Sequence, residues 1–306
     1  MLARCHVTAI VPGDGDRVAK VSWVDADGAE HSLRPRALVL ACGAVQTPRL
    51  LLASANAHAP QGLANESGQV GRHFMETLAW ASSALHPDAL GSHRGVPSDG
   101  ICWDFNAPDA IPGIPGGVRF SVGMAEMDLA GPINYARRVA SGWGRAHRAA
   151  MRNSFGRVLS VASVGEFLPN DGTYIDLDPH ARDAHGLALA RIHSRIDELE
   201  LRRLVFMAGK CREILQAAGT AKPFEEFGTY DTFNATHVFG TCRMGSDARH
   251  SVVDKDCRSH RWRNLFIVDA SVFPSSGGGE SPSLTIEALA IRAGAHVRNL
   301  LAKREL

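Results

Sequence analysis

The chain has 306 residues, of which 45% are hydrophobic and 21% charged, with Lys+Arg 33 against Asp+Glu 32 and a formal charge of +1. This balance belongs to a folded globular protein, excludes disordered and fibrous classes, and offers no long-range field to nucleic acid or an anionic membrane. The length exceeds what one core usually serves, so two domains or one interleaved pair are expected around a small neutral ligand.

The first segment, "CHVTAIVPGDGDRVAKVSWVDADGAEHSLRPRALVLACG", alternates apolar and polar residues between Gly/Asp turns. It reads as a three-stranded antiparallel meander running into the apolar strand Ala37 to Cys42. Gly43 ends that strand, and "AVQTPRLLLASA" follows as a helix with Pro48 in its first turn. A buried strand, a glycine and a helix start can bring backbone N–H groups up to a bound anion or cofactor. From "NESGQVGRHFMETLAW" to about residue 165 the pattern is mixed, with Pro and Gly in "PDAIPGIPGGVRF", and it fixes no elements. "GEFLPNDGTYIDLDPHARDAHGLALARIHSRI" returns to short strands between Asn-Asp-Gly and Asp-Pro turns. In "DELELRRLVFMAGKCREILQAAG", Leu199, Leu204, Met207, Cys211, Ile214 and Leu215 recur at helical spacing, with Asp197 as cap and Gly219 as terminator. "RNLFIVDAS" is another apolar strand, followed by the loop "VFPSSGGGESPS" and a last helix from about Leu284 to Lys303.

Several chemistries are absent from the pattern. The chain has no Gly-x-Ser-x-Gly, His-Glu-x-x-His or Gly-x-x-x-x-Gly-Lys run, and "GDGDRV" is a polar hairpin lacking the third glycine of a dinucleotide loop. The six cysteines are scattered with no Cys-x-x-Cys pair, which disfavours a metal site and a disulfide scaffold. Reduced thiols suggest a cytoplasmic setting, although export with a partner stays open. No apolar run reaches the ~18 residues of a membrane span, and "MLARCHVTAIVPGDGD" lacks a signal-peptide core.

The positive signal begins at "HVFGTCRMG", where His237 stands directly ahead of small, turn-forming residues. A lone histidine is more often a hydrogen-bonded core residue than a proton carrier, and the ring by itself leaves both open. Four stretches in order decide between them: "LVLACGAVQTPRLLLAS", "QVGRHFM", "HVFGTCRMG" with the later "SVVD", and "NLFIVDASVFPSSGGGESPSLTIEALAIRAG". Together they resemble the glucose-methanol-choline family of flavin-dependent oxidoreductases.

The resemblance implies a mixed α/β fold, in which an incomplete FAD-binding α/β domain is interleaved with a substrate-binding domain built on an antiparallel sheet. Residues 1–72 would supply part of the FAD-binding domain, 73–235 the substrate domain, and 236–306 the return to the FAD-binding domain. His237 would be the acid/base. Gly43, Ala44, Asp269 and Ala270 would border the cofactor, and Ser281, Pro282, Ser283 and Leu284 would open the last helix toward it. The reaction implied is oxidation of a CH–OH group on an alcohol, a sugar or a sterol. The proton must leave as the hydride does, and a base titrating near neutrality suits that.

Ser281 stands where the family usually has Asn or His, so it is a candidate hydroxyl partner unable to share the proton. The three glycines Gly277, Gly278 and Gly279 would let backbone approach a flavin ring. Asn65 and Arg72 would order a loop over the cofactor, with a plain salt bridge as the equal alternative for Arg72. Arg243, Met244 and Asp254 would support loops, and Cys42 and Cys242 would be small apolar fillers. The family's opening Gly-x-Gly-x-x-Gly turn has no counterpart here. A truncated or split enzyme is therefore expected, whose partner would be the missing N-terminal FAD-binding half or an electron-acceptor subunit. The rival is a non-catalytic remnant that binds a partner chain.

Overall fold

The computed structural model describes residues 1–94, 98–123, 127–231 and 237–306. The expected meander forms: β1 (His6–Gly13), β2 (Arg17–Val24) and β3 (Glu30–Leu33) pair antiparallel in chain order. The β1–β2 turn is tight because Gly15 and Asp16 both take positive φ. β4 (Leu38–Leu40) leads into α1 (Gly43–Ala53), and 225 residues later β14 (Leu265–Ile267) pairs with β4 in parallel. The side chain of Asn264, just ahead of β14, bonds Val18 N at 2.7 Å and Val18 O at 3.0 Å. One buried amide thereby completes the backbone of the meander and fastens it to the parallel pair.

α1 begins at once at Gly43, so Pro48 lies inside the helix and not in its first turn as the sequence suggested. The missing Pro48 N–H would orphan the carbonyl of Ala44. Thr241 supplies the substitute donor, its hydroxyl reaching Ala44 O at 2.8 Å. A tertiary contact absorbs the cost that made an early proline the better guess.

The stretch whose elements could not be placed from sequence holds most of the main sheet. β5 (Met75–Glu76), β6 (Leu78–Leu85), β7 (Ser98–Cys102), β8 (Val118–Gly123), the short helices α2 (Met127–Ala130), α3 (Pro132–Arg138) and α4 (Gly144–Ser154), and β9 (Val158–Gly165) follow in order. Then come the hairpin β10 (Tyr174–Arg182) and β11 (Ala188–His193), α5 (Glu198–Ala217), β12 (Glu225–Gly228) and β13 (Val238–Phe239). β12-β6-β9-β8-β7 is a five-stranded antiparallel sheet. β6 reads "LAWASSAL": Ala and Ser replace the polar positions of an ordinary half-buried strand, so alternation disappears. α4 buries no residue at all, which removes the apolar stripe that betrays a helix.

α5 packs on β6 and β9, burying Leu204, Met207, Cys211 and Leu215. Asp197 and Gly219 bound it as expected, Gly219 in the left-handed region. The last helix, α6 (Ser283–Ala302), falls within a residue of its expected span but buries only Ala293 and Leu300. Leu284 and Ile291 on α6, and Val39 on β4, stay largely exposed. No helix among the described residues is long and apolar enough to cross a membrane.

Candidate active site

The parallel pair ends at Leu40 and Ile267, and the chain at both carboxyl ends turns into backbone that needs partners. Asp269 supplies them. Its Oδ1 accepts the Ser271 amide at 2.9 Å and so caps the 3-10 turn Ala270–Val272. Its Oδ2 accepts the Gly43 amide at 3.0 Å and the Thr47 hydroxyl at 2.6 Å. The carboxylate is 5% exposed and consumed by these three donors, so Asp269 orders the turn before α1 rather than presenting a free charge. Ala44 and Ala270 are buried beside it. Gly43, at φ +80, has open space where a Cβ would stand, and Cys42 before it is exposed and not the apolar filler expected, because β4 ends two residues before it.

The "GTCRM" run threads between this turn and the segment preceding β5. Gly240 N, Cys242 N and Met244 N donate in succession to Ala270 O, Ser271 O and Val272 O, while Thr241 N reaches Arg72 O. The packing leaves no room at Gly240: a methyl there would lie 2.1 Å from His73 O, and φ is +74. Cys242 is fully buried, and desolvation pushes its thiol well above the ordinary range. Arg243 bonds His250 O, Asp254 accepts the amides of Asp256 and Arg258, and Asn65 accepts Val70 N, so all three order loops. Arg72 stacks over the Tyr174 ring at 4.9 Å.

His237 is fixed from behind: its carbonyl accepts Thr77 N at 3.2 Å, and β13, which follows it, pairs with β5. The ring is half-buried, and its Nδ1 has no hydrogen-bond partner among the described residues. Burial holds the imidazole below its ordinary titration range, the nearby Arg119 guanidinium pushes it further down, and Glu280 pulls the other way. The ring is therefore uncharged at neutral pH, the state a base requires.

The glycine loop ahead of α6 is bound to the five-stranded sheet at several points. Ser276 Oγ accepts Phe167 N and donates to Phe167 O. Glu166 accepts Gly277 N with one oxygen and Gly117 N, at the entry to β8, with the other, each at 3.3 Å. Asn106 donates to Gly278 O at 3.2 Å, and Gly279 lies so close to Val164 and Gly165 that a Cβ would approach their backbone to 2.8 Å. Glu280 then pairs with Arg119 Nε of β8 at 2.7 Å. A cavity of about 340 Å³ opens over this loop, lined by Phe239, Met244, Phe273, Glu280, Ser281 and the first residues of α6.

Ser281 is exposed at the rim, and among the described residues its hydroxyl approaches only Ser283 Oγ, at 3.4 Å. The amides of Ser283, Leu284 and Thr285 donate to no group among the described residues; Ile286 N is the first to find a carbonyl, Pro282 O. With the axial dipole of a 20-residue helix behind them, these amides suit an electron-rich oxygen or nitrogen. A second cavity, of about 300 Å³, adjoins the other turn and is lined by Cys5, His6, Val7, Cys42 and Arg49. Open space at Gly43 beside Cys42, which lines one cavity, and unpaired helical amides at the α6 start beside the other fit a flavin nucleotide.

The structure pairs Glu280 with Arg119, whose charges act on the His237 ring, and puts Ser281 on the same loop as Glu280, whereas Asp269, Gly43 and Ala44 cluster at the strand ends. Sequence reasoning missed Arg119, Glu166, Asn106 and Glu280. Glu280 sat inside the motif, beside Ser281, and a charged residue within a glycine run was a usable signal. Arg119 in "GGVRF" carried none. Among the described residues no group of His, Cys, Asp and Glu side chains is arranged to hold a metal ion.

Comparison with known proteins gives two matches to GMC oxidoreductase family models, over residues 1–78 and 169–290. A 2-methyl-1,2-propanediol dehydrogenase from Mycolicibacterium austroafricanum is 31% identical over 88% of this chain and 49% of its own length. A paromamine 6'-oxidase from Streptomyces fradiae is also 31% identical, over 94% of this chain and 50% of its own. The chain thus spans about half the length of these curated relatives. A formate oxidase variant from Aspergillus oryzae, studied for its FAD modification, superposes with a TM-score of 0.66 over 96% of this chain and 60% of its own, at 12% identity.

Proposed function

Since the chain belongs to the GMC oxidoreductase family, we propose that it forms part of an FAD-dependent enzyme that oxidises an alcohol at a CH–OH carbon, with His237 as the base. The observation carrying this reading is the state of His237: a half-buried ring held below its ordinary titration range, whose Nδ1 bonds no group among the described residues, two positions before Phe239, which lines the cavity at a helix N-terminus. FAD when bound supplies the hydride acceptor.

The chain's own residues do the rest. His237 takes the hydroxyl proton, which spares the substrate a protonated carbonyl. The amides of Ser283, Leu284 and Thr285, on an aligned helix dipole, would hold an electron-rich group of the cofactor. Gly277 to Gly279 allow close approach, while Glu166, Asn106 and Ser276 hold their loop against the sheet. Gly43, with Asp269 fixing its amide, and Cys42 would border the rest of the cofactor. Phe239 and Phe273 exclude water from the cavity wall.

A partner that covers Val39, Leu284 and Ile291 is part of the same proposal, because these exposed apolar side chains flank the cofactor-facing turns. The test is anaerobic mixing of the FAD-loaded protein with a panel of alcohols. Bleaching of the yellow flavin absorbance, abolished in His237→Gln, supports the reading. Protein that stays colourless after incubation with FAD, or yellow protein that no alcohol bleaches, overturns it and favours a non-catalytic, partner-binding chain.

A further inference from the structure

We propose that the excursion carrying α3 and α4 is a lipid-facing surface that holds the protein reversibly against a bilayer rich in anionic phospholipid. The inference is independent of the role given to His237 and needs no flavin. Across residues 129–165 the sequence has six arginines and one histidine and no Asp or Glu. The chain as a whole carries a formal charge of only +1, so its near-neutral total conceals one strongly basic stretch. Its attraction is local, reaching about a Debye length of ~10 Å from this face.

The excursion is built as a unit. Leu129, Tyr135 and Val158 form a hydrophobic cluster of their own, with Val139, Met151 and Phe155 packed against it. Tyr135 donates its hydroxyl to Ser154 O, the His147 ring meets Ala140 O at 2.6 Å, and Arg138 pairs with Glu225 of β12. These contacts fix both helices to the five-stranded sheet and use up one arginine. Arg137, Arg145, Arg148 and Arg152 are exposed and make no ion pair or hydrogen bond among the described residues.

α4 is poorly stabilised from within. Arg145, Arg148 and Arg152 stand at i, i+3 and i+7, on one face, where like charges repel. The first turn holds no acidic residue, the N-cap makes no side-chain bond, and the helix buries nothing. Arg145 also stands at the end of the helix dipole that disfavours cations. A layer of phosphate groups against that face relieves the repulsion. Trp143, 89% exposed, stands between the two helices, and Ile133 on α3 is 75% exposed. An indole and an aliphatic side chain presented among free guanidinium groups suit the headgroup region, where the apolar parts sink and the charges stay at the phosphates. Every residue of 141–146 is exposed, so the corner between the helices projects. A bilayer yields to such a projection, whereas an acidic protein would need a groove shaped to it.

The experiment is cosedimentation of the full chain with vesicles of phosphatidylcholine containing about 30% phosphatidylglycerol, and with vesicles of phosphatidylcholine alone, at low and high salt. The expected result is binding to the anionic vesicles only, released by salt. Each arginine removed should weaken the partition about fivefold, so the triple variant Arg145→Gln, Arg148→Gln, Arg152→Gln should lose roughly a hundredfold, while the matching triple lysine variant keeps most of it. Trp143 should blue-shift the protein's tryptophan emission on the anionic vesicles, and Trp143→Phe should remove that shift. Equal binding to both vesicle types, undiminished binding of the triple Gln variant, or a blue shift that persists in Trp143→Phe overturns the proposal. So does tighter binding to poly-glutamate or duplex DNA than to the anionic vesicles at equal charge concentration and salt, which would assign the face to another partner. Should the triple Gln variant not fold, Arg148→Gln alone reads the same loss at about fivefold.

Discussion

Thr47 donates its hydroxyl to Asp269 Oδ2 at 2.6 Å, across 222 positions of sequence. The same oxygen takes the Gly43 amide, so one carboxylate joins the first turn of α1 to the end of β14. In Asp269→Asn an NH2 faces one of the three donors that the carboxylate now accepts. We expect a loss of about 1–3 kcal/mol, read as a lower urea midpoint with unchanged m-value, and weaker retention of FAD. Thr47→Val should cost about 1 kcal/mol by removing one donor. A midpoint for Asp269→Asn equal to wild type would refute this account.

The charges around His237 set the direction of its pH response. Arg119 disfavours the imidazolium and Glu280 favours it, while burial keeps the whole titration below the ordinary value of about 6.5. A base works only when neutral, so the acid limb of kcat/KM should lie below that value. Arg119→Gln should move the limb to higher pH and Glu280→Gln to lower pH; an NMR titration of the His237 ring should show the same order. Shifts of the same sign in both variants would contradict the arrangement.

Gly240 is hemmed in by His73 O, and its φ of +74 lies in the left-handed region that favours glycine. Gly240→Ala should destabilise the protein by more than about 2 kcal/mol and lower Tm by several degrees. Thr241→Val tests the neighbouring compensation for Pro48: it leaves Ala44 O without its donor and should cost about 1–2 kcal/mol. Pro48→Ala restores an N–H inside α1, so its combination with Thr241→Val should be milder than the sum of the two single effects.

Cysteine accessibility checks where the cofactor lies. Cys42 is exposed, whereas Cys211, Cys242 and Cys257 are buried and their thiols are pushed up by desolvation, Cys211 to about 12. Brief alkylation of the native protein followed by mass spectrometry should modify Cys42 and spare those three. FAD should protect Cys42. Labelling of Cys42 at the same rate with and without FAD would separate it from the cofactor surface.

How much of this was legible beforehand follows from where the information resides. The meander, α5 and α6 were readable because alternation, helical spacing, an Asp start and a Gly stop are local properties. The sheet β6 to β9 was not, since "LAWASSAL" buries small polar residues whose partners lie on other strands, such as Ser83 against Ser160 at 2.8 Å. His237 and the glycine loop carried motif-level signals. Arg119 and Glu166 carried none, because each is defined by a loop that approaches it from more than 100 residues away. Pro48 was misplaced for the same reason: the donor that lets it sit inside α1 is Thr241.

Glu166 holds Gly117 with one oxygen and Gly277 with the other. The strand bearing Arg119 and the loop bearing Glu280 therefore hang from one side chain, and a sequence change that slides β8 by a residue drags the loop with it. A designer altering substrate choice would do better to leave this clamp intact, since movement transmitted through it would be felt at the start of the last helix.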